Sequence, residues 1–125
     1  MYLRKVIAHR GFSYDYPENT MLAFQKAAEL GIKCIETDVT ILKDGTLVLF
    51  HDYETKKHTN FDGIINDLDY NDIQNIDAGS WKDAKFKNIK IATLKELIDL
   101  CKKTNIMVNL ELKGEASKNE KYWES

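Results

Sequence analysis

Three short apolar runs, each ending among ionisable side chains, constrain this chain more than any other feature. Leu3 to Ala8 stops at His9-Arg10-Gly11, Ile32 to Val39 carries Glu36 and Asp38, and Ile106 to Leu112 carries Glu111 just before Lys113. Apolar, β-branched runs of this length read as buried strands. Helical stripes separate them. Met21 to Leu30 places Ala23, Phe24, Ala27, Ala28 and Leu30 on one face, with Asn19 or Thr20 to cap it and Gly31 to end it. Thr93-Leu94-Lys95-Glu96 is a capping box that opens a second helix, with Leu94, Leu97, Ile98 and Cys101 as its apolar face and Asn105 as its end. Strands alternating with helices predict a parallel α/β sheet. An open sheet and part of a (β/α)8 barrel share that pattern, and periodicity does not separate them.

One segment breaks the alternation. Lys43-Asp44-Gly45-Thr46 is a tight-turn signal followed by a strand over Thr46 to Phe50, so the second strand is expected to turn back as a hairpin. His51 to Lys90 is polar and poorly periodic, and predicts long connections with one short helix near Tyr70 to Ile76.

Composition narrows the function. The 125 residues, 43% hydrophobic, can pack one domain or part of one. A net charge of −2 without a Lys/Arg block argues against a nucleic-acid or anionic-membrane surface. No apolar run approaches the roughly 18 residues of a membrane span. The N-terminus has no secretory-signal pattern, which gives a cytoplasmic location as the expectation. Cys34 and Cys101 form no CxxC pair and are expected to be buried free thiols.

The charges on the strands are where chemistry is expected. Glu36 and Asp38 are two apart, so strand alternation points both to one face. Glu111 and Lys113 repeat the arrangement, while His9-Arg10 and His51-Asp52 end their own strands. A parallel sheet gathers such ends at its C-terminal edge, where α/β barrels place active sites. Glu36, Asp38 and Glu111 are hard oxygen donors suited to Mg²⁺ or Ca²⁺. His9 and His51 are then available to carry protons. Arg10 and Lys113 offer positive charge to an anionic substrate. Together these groups describe hydrolysis of a phosphate ester. Each also has a plain structural reading: strand-end histidines as structural or solvated groups, Glu36 and Asp38 as helix caps or surface salt bridges, Glu111 and Lys113 as a same-face ion pair. His58, beside Lys56 and Lys57, reads as part of a solvated face, and Trp81 and the loop tyrosines as packing.

Seven segments, in order, resemble the glycerophosphodiester phosphodiesterases: Ala8-His9-Arg10-Gly11, Pro17-Glu18-Asn19-Thr20, Gly31 with Glu36-Thr37-Asp38-Val39, Lys43-Asp44-Gly45-Thr46, His51-Asp52, Thr93-Leu94-Lys95-Glu96 and Asn109-Leu110-Glu111-Leu112-Lys113. The resemblance implies a (β/α)8 TIM-type barrel of the kind found in phospholipase C-like phosphodiesterases, with a small insertion over 52–90 in a domain spanning 1–125. It implies hydrolysis of glycerophosphodiesters to glycerol 3-phosphate and an alcohol. By resemblance, His9 and His51 are the catalytic acid and base, Glu36, Asp38 and Glu111 bind the divalent cation, and Arg10 and Lys113 contact phosphate. The chain departs from the family pattern after His51-Asp52. Thr55-Lys56-Lys57-His58-Thr59 stands where a Leu-x-Arg-Thr-Thr run is usual, and Ala92 stands where Pro precedes Thr-Leu.

Length sets one more expectation. A complete barrel takes roughly 250 residues, so this sequence is expected to hold only its N-terminal part and to self-associate through open sheet edges. The alternatives are a related phospholipase-type phosphodiesterase and a non-catalytic remnant or half-barrel that needs a partner chain.

Overall fold

A computed structural model describes residues 7–113. Its elements are β1 (Ile7–His9), α1 (Met21–Glu29), β2 (Cys34–Ile41), β3 (Leu47–Leu49), α2 (Tyr70–Ile73), α3 (Leu94–Thr104) and β4 (Met107–Leu112), with single 3₁₀ turns at Ile65–Asp67 and Ala84–Phe86. The first predicted strand falls partly outside the described residues, since 3–6 are not among them. The second predicted strand moves two residues along the chain, to Cys34–Ile41, and the hairpin strand shortens at both ends to Leu47–Leu49.

β2 is the centre of the sheet. β1 pairs with it in parallel (His9↔Glu36), β4 in parallel on the other edge (Asp38↔Glu111), and β3 antiparallel (Val39↔Leu49). Val39 faces both Leu49 and Leu112, so β3 lies beyond β1 on the same edge of β2. Three parallel strands in the order β1-β2-β4, each pair linked through a helix, are the opening of a barrel; the hairpin is an addition at the C-terminal end of β2.

The caps explain the helix limits. Thr20 accepts from the amide of Ala23 at the start of α1, and Gly31 follows its end at φ 78°. Thr93 and Glu96 form the reciprocal box at α3, and Asn105 closes it at φ 57°. Both helices cover one face of the sheet, packing Phe24, Ala27, Leu94 and Leu97 against Ile35, Val39 and Leu49. Strand alternation therefore leaves Cys34, Glu36, Asp38 and Thr40 on the opposite face.

The polar 51–90 stretch is more structured than its periodicity predicts. Ile65, Leu68, Ile73, Ile76, Ala78 and Ile91 come together with Leu42, Val48 and Phe50 as a second core. The apolar residues are spaced by turns, not by a helical or strand period, so no window along the sequence reveals them. The hairpin turn ties the two parts: Asp44 accepts from the amides of Thr46 (3.0 Å) and Tyr70 (2.9 Å), and the Tyr70 bond is the main reason its carboxyl is held below the usual range. Cys34 and Cys101 are free but half-buried, not fully buried as expected, and burial raises the Cys101 thiol.

Asp77 organises the far end of this segment. Its carboxylate accepts from the amides of Gly79 (2.8 Å), Ser80 (3.0 Å) and Asn88 (3.1 Å) and from the Ser80 hydroxyl. Burial works to raise its pKa, but the Ser80 hydroxyl and the three amides outweigh it and hold the group well below the carboxylate range. A depressed folded pKa adds stability above the unfolded value of about 3.9, and that stability is lost as pH falls through the folded pKa. Asp77→Asn is expected to lower stability by about 1 kcal/mol at neutral pH, since solvent screens this partly exposed carboxylate, and to flatten the acid limb below about pH 4. Urea midpoints measured against pH check this; an unchanged acid limb refutes it.

Candidate active site

The site is built where β1, β2, β3 and β4 end. After β1 the chain turns sharply, with Arg10 at φ 56° and Gly11 at φ 82°. A side chain at Gly11 would meet Ala23 Cβ at 2.8 Å, so glycine lets α1 approach this turn. The turn directs Arg10 inward. Its Nη1 donates to both Glu18 oxygens (3.0 and 3.1 Å), and its Nε lies 3.1 Å from Asp38 Oδ2 as an ion pair without hydrogen-bond alignment.

Asp38 is 3% exposed and is the most enclosed acid of the set. Asn19, also in a left-handed conformation, donates to Asp38 Oδ2 (3.1 Å) and accepts from the Thr37 hydroxyl (2.7 Å). One asparagine thereby fastens the loop before α1 to two successive residues of β2. The sequence offers Asn19 only as a possible helix cap and Glu18 only as part of a resembling segment, and assigns neither a role in the site. The usable signal was present: Pro17-Glu18-Asn19-Thr20 is a polar loop segment leading into a helix directly after a charged strand end.

The parallel registers put the remaining acids beside Asp38. Glu111 is its Cα partner on β4, and Glu36 is the partner of both His9 and Asn109. Each carboxylate is turned to a neighbouring basic group. Glu36 Oε1 lies 3.1 Å from His9 Nε2, and Glu111 Oε2 lies 2.6 Å from Lys113 Nζ. The hydrogen bond from Lys113 is the main cause holding Glu111 below the usual range, and the charges of His51 and Arg10 add to it. Among the described residues no three His, Cys, Asp or Glu side chains stand within reach of one ion. The backbone aligns the three acids; the side chains rest on His9, Arg10 and Lys113.

His51 and Lys113 line one small cavity of about 110 Å³, with Thr40, Asp52, Tyr53, Ile65 and Asn66, so the end of β3 and the end of β4 open on the same space. His51 Nδ1 lies 2.6 Å from Asp52 Oδ1. Asp52 Oδ2 is bonded to His58 Nδ1 at 2.9 Å. Burial favours a raised Asp52 carboxyl, but the His51 hydrogen bond and the charges of His58 and His51 outweigh it, leaving it lowered. His58 is the clearest correction to the sequence reading. Expected on a solvated face, it is 9% exposed, with its Nε2 3.5 Å from Glu18 Oε1 and its ring edge-on to Trp81. Its lysine neighbours are exposed as expected; the turn between them and Thr59 rotates His58 inward.

Three parallel strands linked through helices, with His9, Asp38 and Glu111 on them and His51 at the end of the antiparallel hairpin strand, place the chain in the α/β-barrel class. Residues 9–125 match the glycerophosphoryl diester phosphodiesterase family, and the chain belongs to that family. It is 44% identical over 109 residues to a glycerophosphodiester phosphodiesterase of Caldanaerobacter subterraneus subsp. tengcongensis, covering 87% of this chain and 45% of that protein. Among solved structures it is similar to an Oleispira antarctica phosphodiesterase in complex with the product sn-glycerol-3-phosphate (TM-score 0.86, 38% identity, 93% of this chain and 47% of that one). It is also similar to the glycerophosphodiester phosphodiesterase of Agrobacterium tumefaciens (TM-score 0.82, 30% identity, 94% and 52%). The chain spans about half the length of the relatives it matches. The barrel fold class read from the sequence stands, with three of its parallel strands among the described residues. No helix among the described residues is long and apolar enough to cross a membrane.

Proposed function

We propose that this chain carries the acid–base and cation-binding side of a site that hydrolyses glycerophosphodiesters to glycerol 3-phosphate and an alcohol. The observation that carries the reading is the register: His9↔Glu36 and Asp38↔Glu111 align a histidine and three acids on adjacent parallel strands. The product complex of the Oleispira relative, 38% identical, supports the substrate class.

Glu36, Asp38 and Glu111 are the residues that would hold a divalent cation, and their all-oxygen donor set fits Mg²⁺ or Ca²⁺. A bound cation supplies Lewis acidity, which lowers the pKa of an attacking hydroxyl or water. His9 and His51 carry the protons, one taking the proton of the attacking oxygen and the other protonating the leaving alcohol. Arg10 and Lys113 supply positive charge for the phosphate, and Glu18 holds the guanidinium in place. Asp38, enclosed and already paired, is the fixed member of the cation set; Glu36 and Glu111 are the more exposed members that turn.

Two measurements test the reading. Release of glycerol 3-phosphate from glycerophosphocholine is assayed for the chain alone and for the chain fused to the C-terminal half of the Caldanaerobacter relative. Release by the fusion that stops on chelation supports the reading; a cooperatively folded fusion that releases none rejects it. Separately, Mg²⁺ or Ca²⁺ at a hundredfold excess over Kd is expected to stabilise the chain by about 2.7 kcal/mol. Melting indifferent to both ions removes the three acids from the proposed cation set. The open edge of β4, away from β2, is where self-association is proposed, and the mass in solution decides it.

A further inference from the structure

We propose that His58 is a positioning residue that anchors Asp52 and thereby fixes the orientation and tautomer of the His51 ring. The proposal rests on the reading of His51 as a proton carrier. It concerns a residue that departs from the family pattern, since His58 stands where that pattern has a threonine.

Four observations lead there. First, the His58 ring is wedged: it lies edge-on to Trp81 at 4.5 Å and to Phe50 at 6.5 Å, and Trp81 is itself pinned by its Nε1 bond to Ala78 O (2.8 Å). Second, that fixed ring reaches Asp52 Oδ2 with Nδ1, while the other Asp52 oxygen meets His51 Nδ1. A carboxylate held at one oxygen alone is free to swing about its side-chain bonds; one held at both is not. Third, Asp52 accepts at both oxygens because an ionised carboxylate has acceptors only, and its lowered pKa agrees with this. The proton in the His51–Asp52 contact therefore sits on His51 Nδ1, and Nε2 is the nitrogen left for the substrate. A carboxylate that selects one tautomer of a proton-carrying imidazole is the arrangement of hydrolase triads. Fourth, His58 Nε2 lies 3.5 Å from Glu18 Oε1, and Glu18 holds Arg10. His58 is thus the tie between the end of β3, which carries the proton-transfer pair, and the loop before α1, which carries the phosphate-facing arginine. A solvated or purely packing histidine would need none of these polar contacts, and threonine is too short to span from Asp52 to Glu18 across the same gap.

The test reads the His51 ring nitrogens by ¹⁵N-resolved NMR on the 125-residue chain without substrate, above about pH 8, where an ordinary imidazole is neutral. The parent is expected to show His51 protonated at Nδ1. His58→Ala and His58→Thr are expected to shift it to a mixture of tautomers, and His58→Gln, which keeps a donor towards Asp52, to stay near the parent. A parent with His51 protonated at Nε2 overturns the proposal without any variant. So does a His51 tautomer unchanged in whichever of His58→Ala and His58→Thr remains folded; if neither folds while His58→Gln does, the parent tautomer alone decides. Because no turnover is measured, a protein that fails to release glycerol 3-phosphate defeats the functional reading and leaves this result intact.

Discussion

Alanine in place of His51 is expected to lower glycerophosphodiester turnover by roughly 10²–10⁴ in the fused, complete barrel, and His9→Ala to do the same. The size follows from what each ring supplies. Phosphodiester cleavage needs a proton taken from the incoming oxygen and one given to the departing alcohol, and each transfer loses its partner when an imidazole is removed. The effect should fall on kcat with KM nearly unchanged, since a proton carrier contributes to the transition state more than to ground-state binding. Stability serves as the control. The His9 side chain is 59% exposed and is paired with the partly exposed Glu36 carboxylate, so its loss should move the urea midpoint little. Near-normal turnover in either variant refutes that histidine's role, and a loss of turnover that tracks a loss of folding reassigns it to structure.

Asp38→Ala is expected to destabilise the chain by about 3–5 kcal/mol, the range for breaking a buried ion pair at one partner. Asp38 is enclosed, with Arg10 Nε on one side and the Asn19 amide on the other. Removing it leaves a largely buried guanidinium paired, among the described residues, with Glu18, and an asparagine donor without this acceptor. Both lie in left-handed conformations that side chains rarely adopt, so the turn that holds them has little else to keep it in shape. Arg10→Met in the same background should recover part of the loss by removing the stranded charge. Urea unfolding of the three proteins measures it; a cost below about 1 kcal/mol for Asp38→Ala would mean that water reaches the pair and that the acid is not a fixed member of the set.

The two predictions differ in how visible their residues were. His9 and His51 end apolar runs, and an ionisable group closing a buried strand stands out in any sequence. Asp38 stands out for the same reason, but its burial and its partners do not. Arg10 stands out as a charge for a phosphate, but the sequence does not show that its Nη1 and Nε meet two acids, one of them from a loop eight residues away. His58 was misread because its sequence neighbours are lysines. Local polarity is an average over neighbours, whereas a turn can send one side chain inward and the next outward. The core of the 51–90 segment was missed for a related reason: its isoleucines and leucines converge through turns and 3₁₀ geometry, which leave no regular period to detect.

What the amino-acid order determined by itself was local. It set which segments are strands, where Thr20, Gly31, Thr93 and Asn105 begin and end the helices, where the hairpin turns, and which residue types stand at each strand end. These follow from short-range sterics, capping and alternation, which act within a few residues. Only the tertiary structure decided which charges meet. The pairing of Asp38 with Arg10 and Asn19, the alignment of Glu111 with Asp38 across two strands, and the path from His51 through Asp52 and His58 to Glu18 all join residues distant in sequence. Their partners are chosen by strand register and loop closure, and those depend on how the whole sheet packs against its helices.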